Sequence, residues 1–269
     1  KPKKILIISP TFAEYERALK EVNSEVYYFE LTEGNEEFYL DFEKLREELK
    51  KNYDLVILCN PNNPTGNFVD RENFKELLND INFSSTNFFI DEAFIDFIKN
   101  GEDLSFKHFE SDRVIIIRAF TKFFGIPGLR LGYSICYNKK WVSTANNLKE
   151  PWTINTFAAS CGEFLLNSNK FIEKTYKTLE KEKNRMLNGL KKIENIQVFK
   201  SESNFLLIKL MEISGTELYN KLLEKGFLIR RCENFNFLDD SYVRIAIKDK
   251  KSNKNFIKAI NKITKNRNV

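Results

Sequence analysis

The chain has 269 residues, 42% hydrophobic and 30% charged, with a net charge of +5. No apolar run approaches the ~20 residues that a membrane span requires, and no secretory signal stands behind the basic start Lys1-Pro2-Lys3-Lys4. Cys59, Cys136, Cys161 and Cys232 are too scattered for a zinc site or a disulfide frame, so a cytoplasmic protein with no membrane partner and no metal is expected.

From the N-terminus, apolar runs predict strands over Lys4–Ile8, Glu25–Leu31, Asp54–Asn60, Asn87–Asp91, Val114–Arg118 and Leu131–Tyr137. Helical spacing falls between them, at about Phe12–Val22, Asp41–Lys51 and Arg71–Asn82, with Asp41 and Asp70 as N-caps of the last two. Strands alternating with helices predict an α/β fold, a mostly parallel sheet flanked by helices on both faces. The unbroken apolar character of Leu55–Leu58 and Val114–Ile117 suits strands buried on both sides.

Pro151-Trp152 breaks this pattern. Helices are predicted over Thr156–Leu166 and Phe171–Lys192, strands over Ile196–Phe199 and Asn204–Leu210, and a helix over Gly215–Lys225 whose Ser214 and Glu217 are spaced as a capping box. Strands at Phe227–Arg230 and Tyr242–Lys248 precede a last helix. The order predicts a large domain over residues 1–165 and a smaller C-terminal α+β domain over 166–269. The lysine-rich stretch Lys248 to Arg267 is read as the wet face of an amphipathic helix burying Phe256, Ile257, Ile260 and Ile263, not as a nucleic-acid patch.

Several of these strands carry polar groups at their C-terminal ends, where open α/β sheets bind ligands. Asn60-Pro61-Asn62-Asn63-Pro64-Thr65-Gly66 follows one, Asp91 ends another in Phe88-Phe89-Ile90-Asp91-Glu92-Ala93-Phe94, and Lys122 follows a third with Arg130 eight residues on. A lysine in an apolar setting loses proton affinity and can form a Schiff base with an aldehyde. An arginine fork matches phosphate oxygens. Each feature alone could be a turn or a surface charge. A strand ending in Asp-Glu also suits the magnesium-binding strand of a P-loop ATPase, but no G-x-x-x-x-G-K-[ST] occurs in the chain.

Taken together, Asn60 to Gly66, Asp91 to Phe94 and Thr121-Lys122 followed by Arg130 make the chain resemble the fold-type I pyridoxal-phosphate enzymes, the aminotransferase class I/II superfamily. The resemblance runs over essentially the whole length. Within it, the segments Thr121 to Tyr133 and Pro151-Trp152-Thr153-Ile154-Asn155 are similar to the L-threonine-O-3-phosphate decarboxylases of cobalamin synthesis, with the histidinol-phosphate aminotransferases second.

The resemblance implies a cofactor, pyridoxal 5'-phosphate, and roles for named residues. Lys122 would hold the cofactor as a Schiff base and then serve as acid or base. Asp91 would pair with the pyridine nitrogen, Asn63 would approach the phenolic oxygen and the substrate, and Arg130 and Thr121 would hold the phosphate. Arg244 would grip the substrate carboxylate. Arg230 would reach the substrate phosphate, with Arg231 competing for that place, and Asn155 would also approach the substrate. Phe94 stands where most aminotransferases place a tyrosine that donates to the phenolic oxygen; phenylalanine cannot donate, which favours the decarboxylases. Ala119 replaces a usual Ser or Thr and removes one phosphate donor.

The resemblance further implies a homodimer, and an N-terminal segment ahead of the first strand that would make this chain a truncated member. The expected activity is decarboxylation of O-phospho-L-threonine to 1-amino-2-propanol phosphate. Histidinol-phosphate-type transamination and a non-catalytic aminotransferase-like binding module are the alternatives. His108, the single histidine, is expected to pack beside Phe106 and Phe109.

Overall fold

A computed structural model describes residues 2–80, 83 and 85–265. In chain order its first part holds β1 (Lys4–Ser9), α1 (Glu14–Glu21), β2 (Glu25–Glu30), the short pair β3 (Thr32–Glu33) and β4 (Phe38–Tyr39), α2 (Phe42–Leu49), β5 (Leu55–Cys59), α3 (Arg71–Asn79), β6 (Asn87–Asp91), α4 (Gly101–Leu104), β7 (Val114–Ala119), α5 (Phe120–Phe123) and β8 (Gly132–Cys136). Asp41 and Asp70 cap α2 and α3, accepting from the backbone N–H groups of Lys44 at 3.1 Å and Glu72 at 2.7 Å. The sequence extends the third helix to Asn82, which lies outside the described residues, as does Arg267.

Six strands form one sheet in the order β2-β1-β5-β6-β7-β8. All neighbours run parallel except β8, which pairs antiparallel with β7. The chain therefore builds outward from β1 in both directions, and the order reverses between β1 and β5, the position where such sheets open a crevice. One face of the sheet sets Leu6, Ile8, Val56, Leu58, Phe88 and Ile90 against Leu45, Leu49, Phe74 and Leu77 of α2 and α3. Burying each of these side chains contributes about 1.5–3 kcal/mol. The other face packs Ile5, Ile7 and Ile57 against Tyr15 and Leu19 of α1. β5 is buried nearly throughout, as its apolar run predicts. β7 instead alternates, with Val114 and Ile116 buried on the face that α2 and α3 cover and Ile115 and Ile117 half-buried on the other.

The second part holds α6 (Lys139–Leu148), α7 (Thr156–Leu166), α8 (Asn169–Leu190), β9 (Ile196–Val198), β10 (Phe205–Leu210), α9 (Gly215–Leu223), β11 (Arg230–Arg231), β12 (Tyr242–Ala246) and α10 (Lys250–Lys265). Its sheet is antiparallel, in the order β11-β12-β10-β9. Met186 and Leu190 of α8, Leu218 and Leu222 of α9, and Phe256, Ile260 and Ile263 of α10 make its core with Leu206, Ile208, Val243 and Ile245. β11 is shorter than expected because Gly226, at φ +78°, turns the chain and commits the Phe227 N–H to Leu222 O. Ser214 caps α9, accepting from the Glu217 N–H at 3.1 Å.

The β3–β4 hairpin joins the two sheets. Glu33 receives Lys209 at 2.9 Å and the Tyr242 hydroxyl at 2.5 Å, and the Phe38 ring lies 4.9 Å from that of Phe199. No described helix is long and apolar enough to cross a membrane.

Candidate active site

The turn after β5 is built from buried polar groups that satisfy one another. Thr11, beyond β1, donates to Asn62 Oδ1 at 2.7 Å, and the Asn62 amide donates to Pro10 O at 2.8 Å and Thr65 Oγ1 at 2.7 Å. Asn60 closes the loop from inside, donating to Val69 O at 3.0 Å and accepting from the Val69 N–H at 2.7 Å. Gly66 has φ +73°, and a Cβ there would meet the side chain of Ser201. With its neighbours so engaged, the turn presents Asn63 to the cleft, where Arg244 Nη1 donates to Asn63 Oδ1. That contact commits the Asn63 oxygen to Arg244 and gives its NH2 the donor role toward a ligand.

Asp91 ends β6 and is 8% exposed. Its Oδ1 accepts from the Ala93 N–H at 2.9 Å and its Oδ2 from the Tyr15 hydroxyl at 2.5 Å. Burial pushes this carboxyl above its usual range, against the two hydrogen bonds and the positive charge of Lys122. Glu92 turns inward, accepting from Ser105 Oγ and the Phe106 N–H at 2.7 Å each and from Arg118 Nε at 2.9 Å. The brace ties the end of β6 to β7, and so the segment that carries Asp91 to the one that leads into Lys122.

Lys122 sits in α5, one turn beyond β7, with its Nζ 6.0 Å from the centre of the Phe94 ring. The sequence suggests a desolvated lysine; here Lys122 is exposed, opening into the cleft. Thr121 beside it is buried and lines the same cleft. Arg230 and Arg244 are direct partners across β11 and β12. Arg244 lies over the Phe205 ring at 4.9 Å, and its pKa is lowered chiefly by burial, with Arg230 adding to the effect. Arg230 donates to Asn234 Oδ1 at 2.7 Å. Arg231 points elsewhere, bound to Thr216 Oγ1 at 2.6 Å and Glu233 at 2.9 Å.

The resulting cleft has a volume of about 740 Å³, within the range of small-molecule sites. Its lining brings together Asn63, Phe94, Thr121, Lys122, Arg230 and Arg244, and Glu14 is the single carboxylate among the described residues that line it. Asp91 lies beneath the lining rather than in it. Two predicted residues are placed to the side. Arg130, in the left-handed region at φ +54°, is exposed and donates to Pro127 O at 3.3 Å, while Gly125 and Pro127 of its loop do line the cleft. Asn155 caps α7: its Oδ1 accepts from the Ala158 N–H at 2.9 Å and its Nδ2 donates to Leu129 O at 3.0 Å. Both ends of that amide are thereby occupied, away from the lining.

The structure adds Phe12, Asn204, Phe205 and Asn234 to the lining, and Tyr15 behind it. The signal for Phe12 and Tyr15 is the rule that exposed Asn63: they too follow the C-terminal end of a parallel strand, β1.

A lysine amine and a buried carboxylate beyond the C-terminal ends of parallel strands, facing paired guanidinium groups of the second sheet, make a site that suits a pyridoxal-phosphate-dependent protein. The aminotransferase class I and II family profile matches residues 1–260, and the chain belongs to that family. A provisionally named threonine-phosphate decarboxylase of Caldanaerobacter subterraneus subsp. tengcongensis is 39% identical over 267 residues, which cover 97% of this chain and 71% of that one. The threonine-phosphate decarboxylase of Salmonella typhimurium is 31% identical over 263 residues, covering 98% of this chain and 71% of that protein. The solved histidinol-phosphate aminotransferase of Clostridium acetobutylicum superposes with a TM-score of 0.92 at 39% identity, over 98% of this chain and 79% of that one.

The cofactor of the family is pyridoxal 5'-phosphate, and the donor set fits it. An amine for the aldehyde, an amide donor and a buried carboxylate stand at one edge of the sheet, with Arg130 beside the cleft rather than in its lining.

Proposed function

We propose that the protein decarboxylates O-phospho-L-threonine to 1-amino-2-propanol phosphate, in the setting of cobalamin synthesis. The observation that carries this reading is the pair Arg230 and Arg244, side by side across β11 and β12 in a cleft that also holds Lys122. Two guanidinium groups suit a substrate with two anionic ends, a carboxylate and a phosphate, because each fork matches planar or tetrahedral oxyanions bidentately. Two relatives with decarboxylase names, and Phe94 in place of a donating tyrosine, support the same choice.

Pyridoxal 5'-phosphate supplies an aldehyde that binds amines and a ring that takes up the electron pair of a bond broken at Cα. Lys122 would hold it covalently, Asn63 would donate to its phenolic oxygen, Asp91 would face its ring nitrogen, and Thr121 and Arg130 would hold its phosphate. Arg244 binds the substrate carboxylate and Arg230 its phosphate, fixing which bond at Cα is aligned for cleavage. Lys122, once released, stands in the cleft to move a proton at Cα.

In this proposal the chain divides near residue 165 into a larger cofactor-binding part and a smaller C-terminal one. Two copies associate through the exposed apolar side chains of α7 and the turn before it, among them Trp152, Phe157 and Phe164.

Histidinol-phosphate-type transamination is the second reading, favoured by the superposition on the Clostridium enzyme. The test is the product formed from O-phospho-L-threonine by the protein loaded with cofactor. Release of carbon dioxide in step with substrate loss is expected; keto-acid formation alone removes the decarboxylase proposal. Borohydride trapping at Lys122 separates both readings from an aminotransferase-like module that holds no cofactor.

A further inference from the structure

Asp91 is held from behind by a side chain that the roles above leave unused. The Tyr15 ring is wedged between α1 and the sheet, packed on Ile5, Ile7 and Ile57, with ring centres 5.7 Å from Phe12 and 6.4 Å from Phe89. This packing fixes its hydroxyl at the end of β6, where it donates to Asp91 Oδ2 at 2.5 Å. The Ala93 N–H takes the other oxygen at 2.9 Å. With one donor on each oxygen the carboxylate plane is set, and each oxygen keeps a lone pair for a further partner.

We propose that Tyr15 is a positioning residue for Asp91: its hydroxyl orients the carboxylate, sets how strongly it holds a proton, and so governs protonation of the pyridine nitrogen of bound pyridoxal 5'-phosphate. This rests on the reading of Asp91 as the partner of that nitrogen.

The groups that bear on Asp91 are few. Tyr15 approaches from α1, the Cys59 thiol from β5 and the Lys122 ammonium from α5. Burial pushes Cys59 up to about 12, so it stays neutral. Burial, then Cys59 and Asp91, push Tyr15 well above its ordinary value, so it stays a donor. A hydrogen bond to the charged form favours that form. The Tyr15 hydroxyl therefore favours the ionised form of Asp91 against its burial, and a carboxylate so stabilised competes less for the proton on the ring nitrogen.

The test uses the folded protein with carbon-13-labelled aspartate, its Asp91 signal assigned by loss in Asp91→Asn. Without cofactor, Tyr15→Phe should raise the Asp91 midpoint by about one to two pH units, the size of a lost hydrogen bond to a charged group. Placing 3,5-difluorotyrosine at position 15, a more acidic donor in the same space, should lower it. Opposite signs from two variants of similar packing are not expected of a purely structural residue. Tyr15→Phe should also weaken binding of pyridoxal 5'-phosphate by about tenfold in equilibrium dialysis, as the ring-nitrogen pair loses about one unit's worth of coupling. An unmoved midpoint, or shifts of the same sign in both variants, overturns the proposal. If borohydride leaves Lys122 of the unsubstituted protein unlabelled, it is the cofactor reading that has failed, a result separate from the titration.

Discussion

Glu92→Gln tests the brace beneath the site. The Arg118 side chain is 3% exposed and that of Glu92 0%, with Arg118 Nε 2.9 Å from Glu92 Oε2. Arg118 has a second partner in Glu102, but that carboxylate is 60% exposed. Removing one member of a buried pair costs about 3–5 kcal/mol, because the other is left charged and poorly solvated. Glu102 remains, which places the electrostatic part near ~3 kcal/mol. A glutamine has one acceptor oxygen in place of two, so Arg118, Ser105 or Phe106 must also lose an acceptor, at about 1–2 kcal/mol. The expected loss is therefore about 4–5 kcal/mol at pH 7.

Urea unfolding followed by circular dichroism would read this as a lower midpoint at unchanged slope. Arg118→Met in the Glu92→Gln background removes the stranded guanidinium, so the double variant should lose well under the sum of the single losses. A Glu92→Gln loss under about 1 kcal/mol, or simple additivity, would refute the idea that this pair is a buried, coupled brace.

Asp96 gives a pH-dependent companion. Burial pushes its carboxyl up to about 6, with Glu102 and Glu92 adding and Arg118 opposing. The folded form then binds more protons than the unfolded one between about pH 4 and 6, so stability falls as pH rises through that window and the loss persists above it. After discounting for partial exposure, Asp96→Asn should gain about 1–2 kcal/mol at pH 7 and flatten that slope; a less stable variant contradicts the assignment. Gly66→Ala forces a side chain to φ +73° and into Ser201, so it should lose about 2–4 kcal/mol in the same urea assay, with neutrality as the contrary result. Arg244→Lys keeps the charge and loses the fork, so kcat/KM for O-phospho-L-threonine should fall about 30- to 300-fold. An unchanged kcat/KM removes the assignment of Arg244 to the substrate carboxylate.

What the sequence disclosed tracks how local each signal is. Asn63, Asp91 and Lys122 are legible because each follows or ends an apolar run, and a parallel sheet delivers all such ends to one edge. α6 lies outside the predicted elements, although Trp141, Val142, Ala145 and Leu148 fall at helical spacing, and none of its residues is buried. The two-residue strands β3 and β4 are too short to show a period, although Glu33 of β3 anchors the second sheet. Tyr15 and Asp91 are separated by 76 positions, and nothing in either neighbourhood points to the other.

Arg230 and Arg231 show most sharply where local reading ends. Successive strand residues face opposite ways, so one of two adjacent arginines must enter the cleft and the other must leave it. Which one enters depends on the parity set by the turn before the strand. That turn is fixed by Gly226 at φ +78° and by the Phe227 N–H bound to Leu222 O. It pairs Arg230 with Arg244 and sends Arg231 to Thr216 and Glu233. A one-residue slip there would exchange the two arginines and replace a cleft cation with one already neutralised by Glu233. In the proposed function, recognition of the substrate's charges thus rests on a glycine-controlled register as much as on the arginines themselves.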